Sequence, residues 1–238
     1  QQEKLIINER HEAWGSLARK LAHEIKNPLT PIQLTIDRLK HKYSEHLSNK
    51  DKNDFKENLK IINNQINQIE RLVNEFSDFA RMPKPIFQKN NLVELLQENI
   101  KLLQELDNSI EIILENNVSK IILECDKEQL SRVFFNLIKN SIESIHQKLV
   151  NDSNCYKKIT IELNNQDDHI SLIIVDTGVG FSNLKTNIKD ILNPYFTTKK
   201  NGTGLGLSIV NKIINDHNGN IEFLPIKDGA KIIIILKK

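Results

Sequence analysis

The sequence predicts two domains in series, an α-helical hairpin that forms a dimeric four-helix bundle and then an α+β sandwich. Two observations lead to this fold class. In the N-terminal part, apolar residues recur at alternating spacings of four and three, which is typical of helices packed along a seam. After the segment ARMPKP, short apolar runs alternate with helix-like stretches, which is typical of strands and helices that share one core. The predicted domains are therefore 1–85 and 86–238.

The helical hairpin is predicted from two apolar stripes, separated by the polar stretch SEHLSNKDKND. The first is interrupted only around Pro28 and consists of Trp14, Ala18, Leu21, Ile25, Ile32, Ile36 and Leu39. The second consists of Phe55, Leu59, Ile62, Ile66, Ile69, Val73, Phe76 and Ala80. Two such helices bury little by themselves, which favours a homodimeric bundle. The alternative is an intramolecular coiled coil that packs on the second domain.

The second domain is predicted to begin after Pro83 and Pro85, which end the second helix and stiffen a connector, Met82–Pro85. Three helices are expected, over Leu92–Leu106, Lys127–Leu149 and Thr203–Asp216. The expected strands are Ile110–Leu114, Ile121–Leu123, Ile159–Leu163, Ile170–Val175, Ile221–Leu224 and Lys231–Leu236.

Composition and charge argue against several classes of protein. Of the 238 residues, 39% are hydrophobic, which is enough to form hydrophobic cores. The net charge of +2 argues against a nucleic-acid binder. No apolar run approaches the roughly 20 residues that span a bilayer, and no secretory leader is present, so we expect a cytoplasmic chain. The start without Met, inside an apolar helical pattern, suggests a fragment of a longer protein. Cys125 and Cys155 have no metal-type spacing.

Glycine is concentrated in two clusters. Five of the eight glycines stand in DTGVGF, which follows a predicted strand, and GTGLGLSIV, which opens a predicted helix. Asp176 at the strand end can accept a hydrogen bond from an exocyclic amine, and the N–H groups of a helix start suit a phosphate. Either cluster alone is compatible with an ordinary turn, and neither fits a Walker or Rossmann motif. Together they predict a nucleotide site.

Asn136 and Asn140 add a possible metal ligand. They are four residues apart and so share one helix face. An amide oxygen suits Mg²⁺, which takes few protein ligands when phosphates supply the rest. The alternative is a pair of surface asparagines in an Asn-rich chain.

Five motifs in order resemble those of bacterial sensor histidine kinases. These are HEIKNPLTP, NLIKNSIESI, DTGVGF, NPYFTTKK and GTGLGL, and the first looks most like the nitrogen-regulation NtrY type. The resemblance covers nearly the whole chain. It implies a dimeric hairpin bundle followed by a Bergerat-type ATP-binding sandwich, as in gyrase and heat-shock 90 chaperones.

The resemblance also implies roles for individual residues. His23 would be the phospho-acceptor, Asp176 would read the adenine amine, and Asn140 would bind Mg²⁺ with support from Asn136. Phe196 would anchor a lid over the nucleotide, and Lys199 would meet the γ-phosphate. The glycine motifs would shape the ATP pocket through Gly178, Gly180, Gly202, Thr203, Gly204, Leu205 and Gly206.

The sequence departs from the family pattern at a few places. Ser141 stands where Ala is usual, Glu143 stands where many kinases have a basic residue, and HNGNI replaces the commoner His-Gly-Gly. The Glu143 difference leaves open which cation besides Lys199 neutralises the triphosphate. The lid between Phe181 and Gly202 is short and contains a helix-like segment, LKTNIKDIL.

His23 is predicted to face solvent, because Leu21 and Ile25 are predicted to face the bundle and His23 is about 200° around the helix from Leu21. An exposed imidazole can attack a γ-phosphate. Glu24 would accept a proton or hydrogen bond from the other ring nitrogen. Asn27 shares the face of His23 and could orient a water that hydrolyses a partner's phospho-aspartate. Pro28 cannot donate to the carbonyl of Glu24, so a bend is expected there.

These features predict a kinase that phosphorylates itself from ATP with Mg²⁺ and passes the phosphoryl group to a response-regulator receiver domain. Two alternatives stay open at this stage. One is a Bergerat-fold ATPase clamp, although such ATPases usually have a glutamate base where Asn136 stands. The other is a coiled-coil scaffold with a degenerate nucleotide domain. Any sensor or inner-membrane segment of the full-length protein would precede Gln1.

Overall fold

The computed structural model describes residues 2–43, 49–80, 82–116, 118–152, 154–181, 187–199 and 202–238. They form two compact units. The first comprises Gln1–Pro83 and Lys199–Leu205, and the second comprises Lys84–Thr198 and Gly206–Lys238. Within the described ranges, no helix is both long and apolar enough to cross a membrane.

The first unit is built on two long helices, α1 (Gln2–Tyr43) and α2 (Asn49–Ala80). Residues 44–48 of the polar stretch predicted to join them lie outside the described residues. α1 continues as a single helix through Pro28 and Pro31, across the place where its apolar stripe is interrupted. A proline fits helical φ and removes one hydrogen bond per site, which the long helix on either side can tolerate.

Only part of the predicted apolar stripe is buried within one chain. Among the hairpin residues whose side chains the structure describes, the buried apolar ones are Ala18, Ile36, Leu59, Ile66 and Val73 of the stripe, together with Ala22. Leu21 and Ile25, which we expected to face the bundle, are 40% and 42% exposed in a single chain, whereas Ala22 between them is buried. A second apolar row, on the same helices, stays exposed and comprises Leu21, Ile25, Ile32, Leu39, Ile62 and Ile69. The apolar stripe therefore consists of two rows, and packing of α1 on α2 within one chain buries only one row.

The second unit begins with a small antiparallel sheet and a helix. Strand β1 (Gln88–Asn91) pairs with β3 (Ile122–Cys125), and α3 (Leu92–Leu106) follows β1 directly. The side chain of Asn91 caps α3 by accepting a hydrogen bond from the Val93 N–H. We did not predict β1 because its sequence, QKNN, has no apolar residue to mark a strand.

The main sheet has five strands in the order β2-β4-β5-β7-β6, of which β2 and β4 are parallel and the other neighbours antiparallel. The strands are β2 (Glu111–Asn116), β4 (Lys158–Asn165), β5 (His169–Asp176), β6 (Asn220–Ile226) and β7 (Gly229–Lys237). Every second residue of β4 and β5 is buried, which puts one face of the sheet in the core. This face contacts the helices of the unit.

Two helices position the predicted nucleotide motifs. α4 (Lys127–Leu149) has the predicted bounds and is capped by the Asp126 carboxylate. α5 (Gly206–Asp216) begins three residues later than predicted, because Gly204 has a left-handed φ of 72° that ends any helical path before it. A short 3-10 helix, Ile188–Leu192, forms part of the predicted helix-like lid segment, and residues 184–186 of that segment lie outside the described residues.

The chain entering the second unit is held by α4 and α5. The Ile86 N–H donates to Asp126 Oδ2 at 2.8 Å, and the rings of Phe87 and His217 lie 5.1 Å apart. The Nε2 atom of His217 accepts from the Asp126 N–H at 3.0 Å, and its Nδ1 atom donates to the Ile213 carbonyl at 2.8 Å. The first two contacts attach the chain after Pro85 to the start of α4 and the end of α5, and the other two hold Asp126 and His217 in place.

Candidate functional site

A buried carboxylate lies at the end of β5. Asp176 is 3% exposed, and burial raises the pKa of its carboxyl, while hydrogen bonds from Gly178, Ser141 and Ala230 act in the opposite direction. Its Oδ1 accepts from the Gly178 N–H at 2.9 Å, and its Oδ2 accepts from the Ser141 hydroxyl at 3.0 Å. The site therefore holds a fixed hydrogen-bond acceptor at the strand end, at the position expected for reading an amine.

The DTGVG loop lies so close to its neighbours that two of its positions exclude a side chain. A Cβ atom on Gly178 would lie 2.2 Å from Ser144 Oγ, and one on Gly180, whose φ is +62°, would lie 2.1 Å from the Gly229 carbonyl oxygen. We expected these glycines to make room for a flat ring. The structure gives a second reason, which is close packing of the loop on α4 and on the β6–β7 turn.

Asn136 and Asn140 lie half-buried on α4. Asn136 Nδ2 donates to the Arg132 carbonyl at 2.9 Å, and a Cβ atom on Gly206 would lie 3.7 Å from Asn136 Oδ1. The start of α5 is therefore next to the helix that carries both asparagines. Asn140 precedes Ser141, the partner of Asp176.

The donor set suits a cation that nucleotide phosphates help to bind. Within the described residues, no three His, Cys, Asp or Glu side chains come together to hold a metal ion. A single amide oxygen from Asn140 fits Mg²⁺, which keeps several waters and takes one or two protein ligands when phosphates are present.

The second glycine cluster is divided between the two units. Lys199 and the residues from Gly202 to Leu205 belong to the first unit, where the Thr203 hydroxyl donates to the Glu75 carboxylate. Gly206 belongs to the second unit. Within the second unit, Asn136, Asn140, Asp176 and the glycines at 178, 180 and 206 lie in one region. Lys199 and the residues from Gly202 to Leu205 are not part of that unit.

The NPYF segment forms a turn. The Phe196 N–H donates to the Asn193 carbonyl at 3.2 Å, with Pro194 second and Tyr195 third in the turn. Tyr195 has a φ of 69°, the left-handed third position of a type II turn. Phe196 is half-buried. Residues 182–186 and 200–201 of the predicted lid lie outside the described residues.

His23, Glu24 and Asn27 are all exposed on α1. His23 and Asn27 are one helical turn apart, so both side chains lie on the same side of the helix. Pro28 has no N–H for the Glu24 carbonyl, which leaves one backbone acceptor of this turn without its usual donor inside a continuous helix.

Three further residues of α4 hold the DTGVG loop, and sequence reasoning did not assign them. Ser141 donates to Asp176, Ser144 Oγ accepts from the Val179 N–H at 3.1 Å, and Lys148 Nζ donates to the Thr177 carbonyl at 3.1 Å. Their spacing of three and four residues marks one helix face. The one sequence signal for Ser141 is that it stands where the family usually has Ala.

Two protein-family models match this chain. Residues 13–85 match the His Kinase A (phospho-acceptor) domain. Residues 125–238 match the histidine kinase-, DNA gyrase B- and HSP90-like ATPase family. The two matches include the helices that carry His23 and Asn140.

Relatives match over nearly the whole chain. The NtrY-like sensor histidine kinase of Rickettsia prowazekii is 38% identical over 99% of this chain and 38% of its own length. The nitrogen regulation protein NtrY of Azorhizobium caulinodans is 36% identical over 98% of this chain and 30% of its own length. The chain thus spans less than two fifths of these relatives.

Solved structures show the same architecture. Histidine kinase ThkA, in a complex with the response regulator protein TrrA, is 27% identical with a TM-score of 0.66 and covers 100% of this chain and 65% of its own. The ThkA catalytic domain, in a nucleotide-free form, is 28% identical with a TM-score of 0.53 and covers 64% of this chain and 96% of its own.

Proposed function

The chain belongs to the sensor histidine kinases, and from that premise we propose that it transfers the γ-phosphoryl group of ATP to His23 and then to a response-regulator aspartate. One observation carries the proposal. An exposed histidine lies in the region that matches the phospho-acceptor domain, and a buried acceptor, Asp176, lies in the region that matches the ATPase family. The proposed domains are 1–85 for dimerisation and phosphotransfer and 86–238 for ATP binding.

In the first step, one ring nitrogen of His23 attacks the γ-phosphorus, so a P–N bond forms while the bond to the β–γ bridging oxygen breaks. ADP leaves with the electron pair of that bond. Glu24 accepts the proton, or a hydrogen bond, from the other ring nitrogen, which favours the tautomer that can attack. In the second step, a receiver-domain aspartate takes the phosphoryl group from His23.

The ATPase part would bind and orient the nucleotide. Asp176 accepts a hydrogen bond from the adenine amine, and Asn140 binds Mg²⁺ with support from Asn136. Lys199 meets the γ-phosphate, and Phe196 anchors the lid. The pocket and its lid are shaped by Gly178, Gly180, Gly202, Thr203, Gly204, Leu205 and Gly206. Transfer then depends mainly on positioning and charge neutralisation, as in other phosphoryl transfers.

We also propose phosphatase activity toward the phosphorylated regulator, because Asn27 shares the exposed side of α1 with His23. An amide there can orient a water toward the phospho-aspartate. Phosphate release from a phosphorylated receiver domain would be slower with Asn27→Ala than with the unchanged chain. An equal rate would remove Asn27 from this role.

The proposed partners are a second copy of the chain, through the hairpin, and a receiver domain. For the full-length protein we propose an inner-membrane anchor outside this chain, with the kinase core on the cytoplasmic side. Cell fractionation of the full-length protein tests this location. We propose that the ATP domain swings about the Met82–Pro85 connector, because the chain after Pro85 is attached to α4 and α5.

The central prediction concerns labelling by ATP. Incubation with γ-labelled ATP and Mg²⁺ would give a phosphorylated chain whose label is acid-labile and alkali-stable, as expected for a phosphoramidate. His23→Gln would abolish the label and keep ATP binding, because glutamine lacks the nucleophilic ring nitrogen. Addition of a receiver domain would move the label to that domain.

His41→Gln is the matched control, because His41 is another exposed histidine of α1. It would keep full labelling. Label retained on His23→Gln, or an acid-stable label on the unchanged chain, would contradict His23 as the phospho-acceptor.

A further inference from the structure

The partner of the Asp176 carboxylate on α4 is a buried hydroxyl. Ser141 is 2% exposed, and its Oγ donates to Asp176 Oδ2 at 3.0 Å. The second oxygen, Oδ1, accepts from the Gly178 N–H at 2.9 Å. Each carboxylate oxygen therefore has a donor from a different part of the fold, and together with the Ala230 backbone these donors hold the carboxylate in one orientation.

The loop that follows Asp176 is also bound by Ser144 and Lys148, which lie one and two turns after Ser141 on the same face of α4. Ser144 Oγ accepts from the Val179 N–H, and Lys148 Nζ donates to the Thr177 carbonyl. Of the three side chains on this face, Ser141 alone contacts the carboxylate, while the other two contact loop backbone. The role of Ser141 can thus be separated from general attachment of the loop.

We infer that Ser141 is a positioning residue for base selection, because its hydroxyl orients the Asp176 carboxylate toward a 6-amino purine and against a 6-oxo purine. The inference rests on the proposed role of Asp176 in reading adenine. An oriented carboxylate offers a lone pair to the N6 amine of ATP. The same lone pair repels the O6 carbonyl of inosine triphosphate (ITP), which is an acceptor.

Two physical effects follow from removing the hydroxyl. The carboxylate loses one of the contacts that orient it, so its lone pair is less well aligned with the amine. Asp176 also loses one of the hydrogen bonds that lower its pKa, so the effect of burial, which raises the pKa, is less opposed. A carboxyl that is protonated more often can donate to a 6-oxo group, so both effects reduce the preference for ATP over ITP.

The test measures the dissociation constants of Mg·ATP and Mg·ITP for the full chain, by displacement of a fluorescent ATP analogue, together with KM and kcat for self-labelling. Ser141→Ala would weaken ATP binding by up to about tenfold, because the hydrogen bond between the Asp176 carboxylate and the N6 amine is then poorly aligned and loses much of its strength. ITP would bind with unchanged or higher affinity. In labelling with ATP, the effect would appear mainly in KM.

Ser144→Ala is the matched control, because it removes a hydroxyl one turn further along the same face that contacts the Val179 N–H. It would change ATP and ITP affinity by the same factor. Ser141→Cys keeps a small side chain with a weak donor and would give an intermediate ATP-to-ITP ratio. The melting temperature of each variant reports whether it is folded.

Equal losses for ATP and ITP in folded Ser141→Ala or Ser141→Cys would overturn the inference, because Ser141 would then have only a structural role. Unchanged ATP affinity in Ser141→Ala would also overturn it. The ATP affinity of Asp176→Asn shows whether the inference about Ser141 fails alone or the proposed role of Asp176 fails as well. If Asp176→Asn loses ATP while Ser141→Ala does not, only the inference fails, and if Asp176→Asn binds ATP normally, the role of Asp176 fails with it.

Discussion

Single residues of the second unit show how local chemistry orders the proposed nucleotide site. Asp176 is a buried carboxylate that needs donors, and it receives them from Ser141 and Gly178. Asn218 has a φ of 55° just after α5, a conformation that asparagine adopts more easily than most residues. The Asn that departs from the family's usual glycine is therefore compatible with the same helix end.

A residue-scale prediction concerns Asn140. If its amide binds Mg²⁺, Asn140→Ala would weaken nucleotide binding about tenfold when Mg²⁺ is present and would have no effect in excess EDTA. The dependence on Mg²⁺ distinguishes a lost ligand from a lost packing contact, because packing does not depend on the ion. Titration of a fluorescent nucleotide in both conditions makes the comparison.

Lys139→Gln is the control for Asn140→Ala, since Lys139 is the preceding residue and is exposed. The nucleotide affinity of Lys139→Gln would depend on Mg²⁺ in the same way as that of the unchanged chain. An Asn140→Ala chain with normal affinity in Mg²⁺ would remove Asn140 from the metal site.

At the scale of elements, the helices were the most predictable part of the fold. α3 and α4 have the predicted bounds, because long amphipathic periods are encoded locally. β1 was not predicted, since the polar QKNN segment becomes a strand only through pairing with β3. α1 continues through Pro28 and Pro31, because the energetic cost of two prolines is smaller than the benefit of continuing the helix.

The element-scale prediction concerns Pro28. Pro28→Ala adds an N–H that can donate to the Glu24 carbonyl, so we expect α1 to be more stable, by up to about 3 kcal/mol. If the missing hydrogen bond lets this turn adapt to both the ATP domain and the receiver domain, the rates of labelling, transfer and phosphatase activity would fall severalfold. Thermal unfolding and the three rates are measured together.

Pro31→Ala makes the same chemical change further along α1, past the turn that carries His23. It would raise stability with smaller effects on the rates. Unchanged rates in Pro28→Ala would show that the proline is a tolerated feature of the helix without a role in transfer.

At the scale of the whole molecule, the exposed apolar row on the hairpin is available for a second chain. Ile69 on α2 is 40% exposed, and Ile32 on α1 is 45% exposed. Burial of one such side chain contributes about 1.5–3 kcal/mol, and a symmetric dimer buries each residue twice. Association of two chains would cover surface that one chain leaves in contact with water.

The prediction at this scale is therefore loss of the dimer in Ile69→Glu, with a dissociation constant that rises on the order of 100-fold or more. Sedimentation equilibrium over a range of concentrations measures it. Lys60→Glu, at an exposed polar position of the same helix, would leave the dimer intact. A monomeric unchanged chain, or an equally stable Ile69→Glu dimer, would contradict this interface.

The sequence by itself determined the helical hairpin, most elements of the sandwich and the motifs that carry the chemistry, because periodicity and short motifs are local properties. Only the tertiary structure decided which row of the apolar stripe one chain covers, and that Ala22 is buried. The tertiary structure also decided why the DTGVG glycines are needed and that Ser141 donates to Asp176. Ser141 and Asp176 are 35 positions apart, and a sequence pattern cannot specify how a helix face and a strand end approach each other.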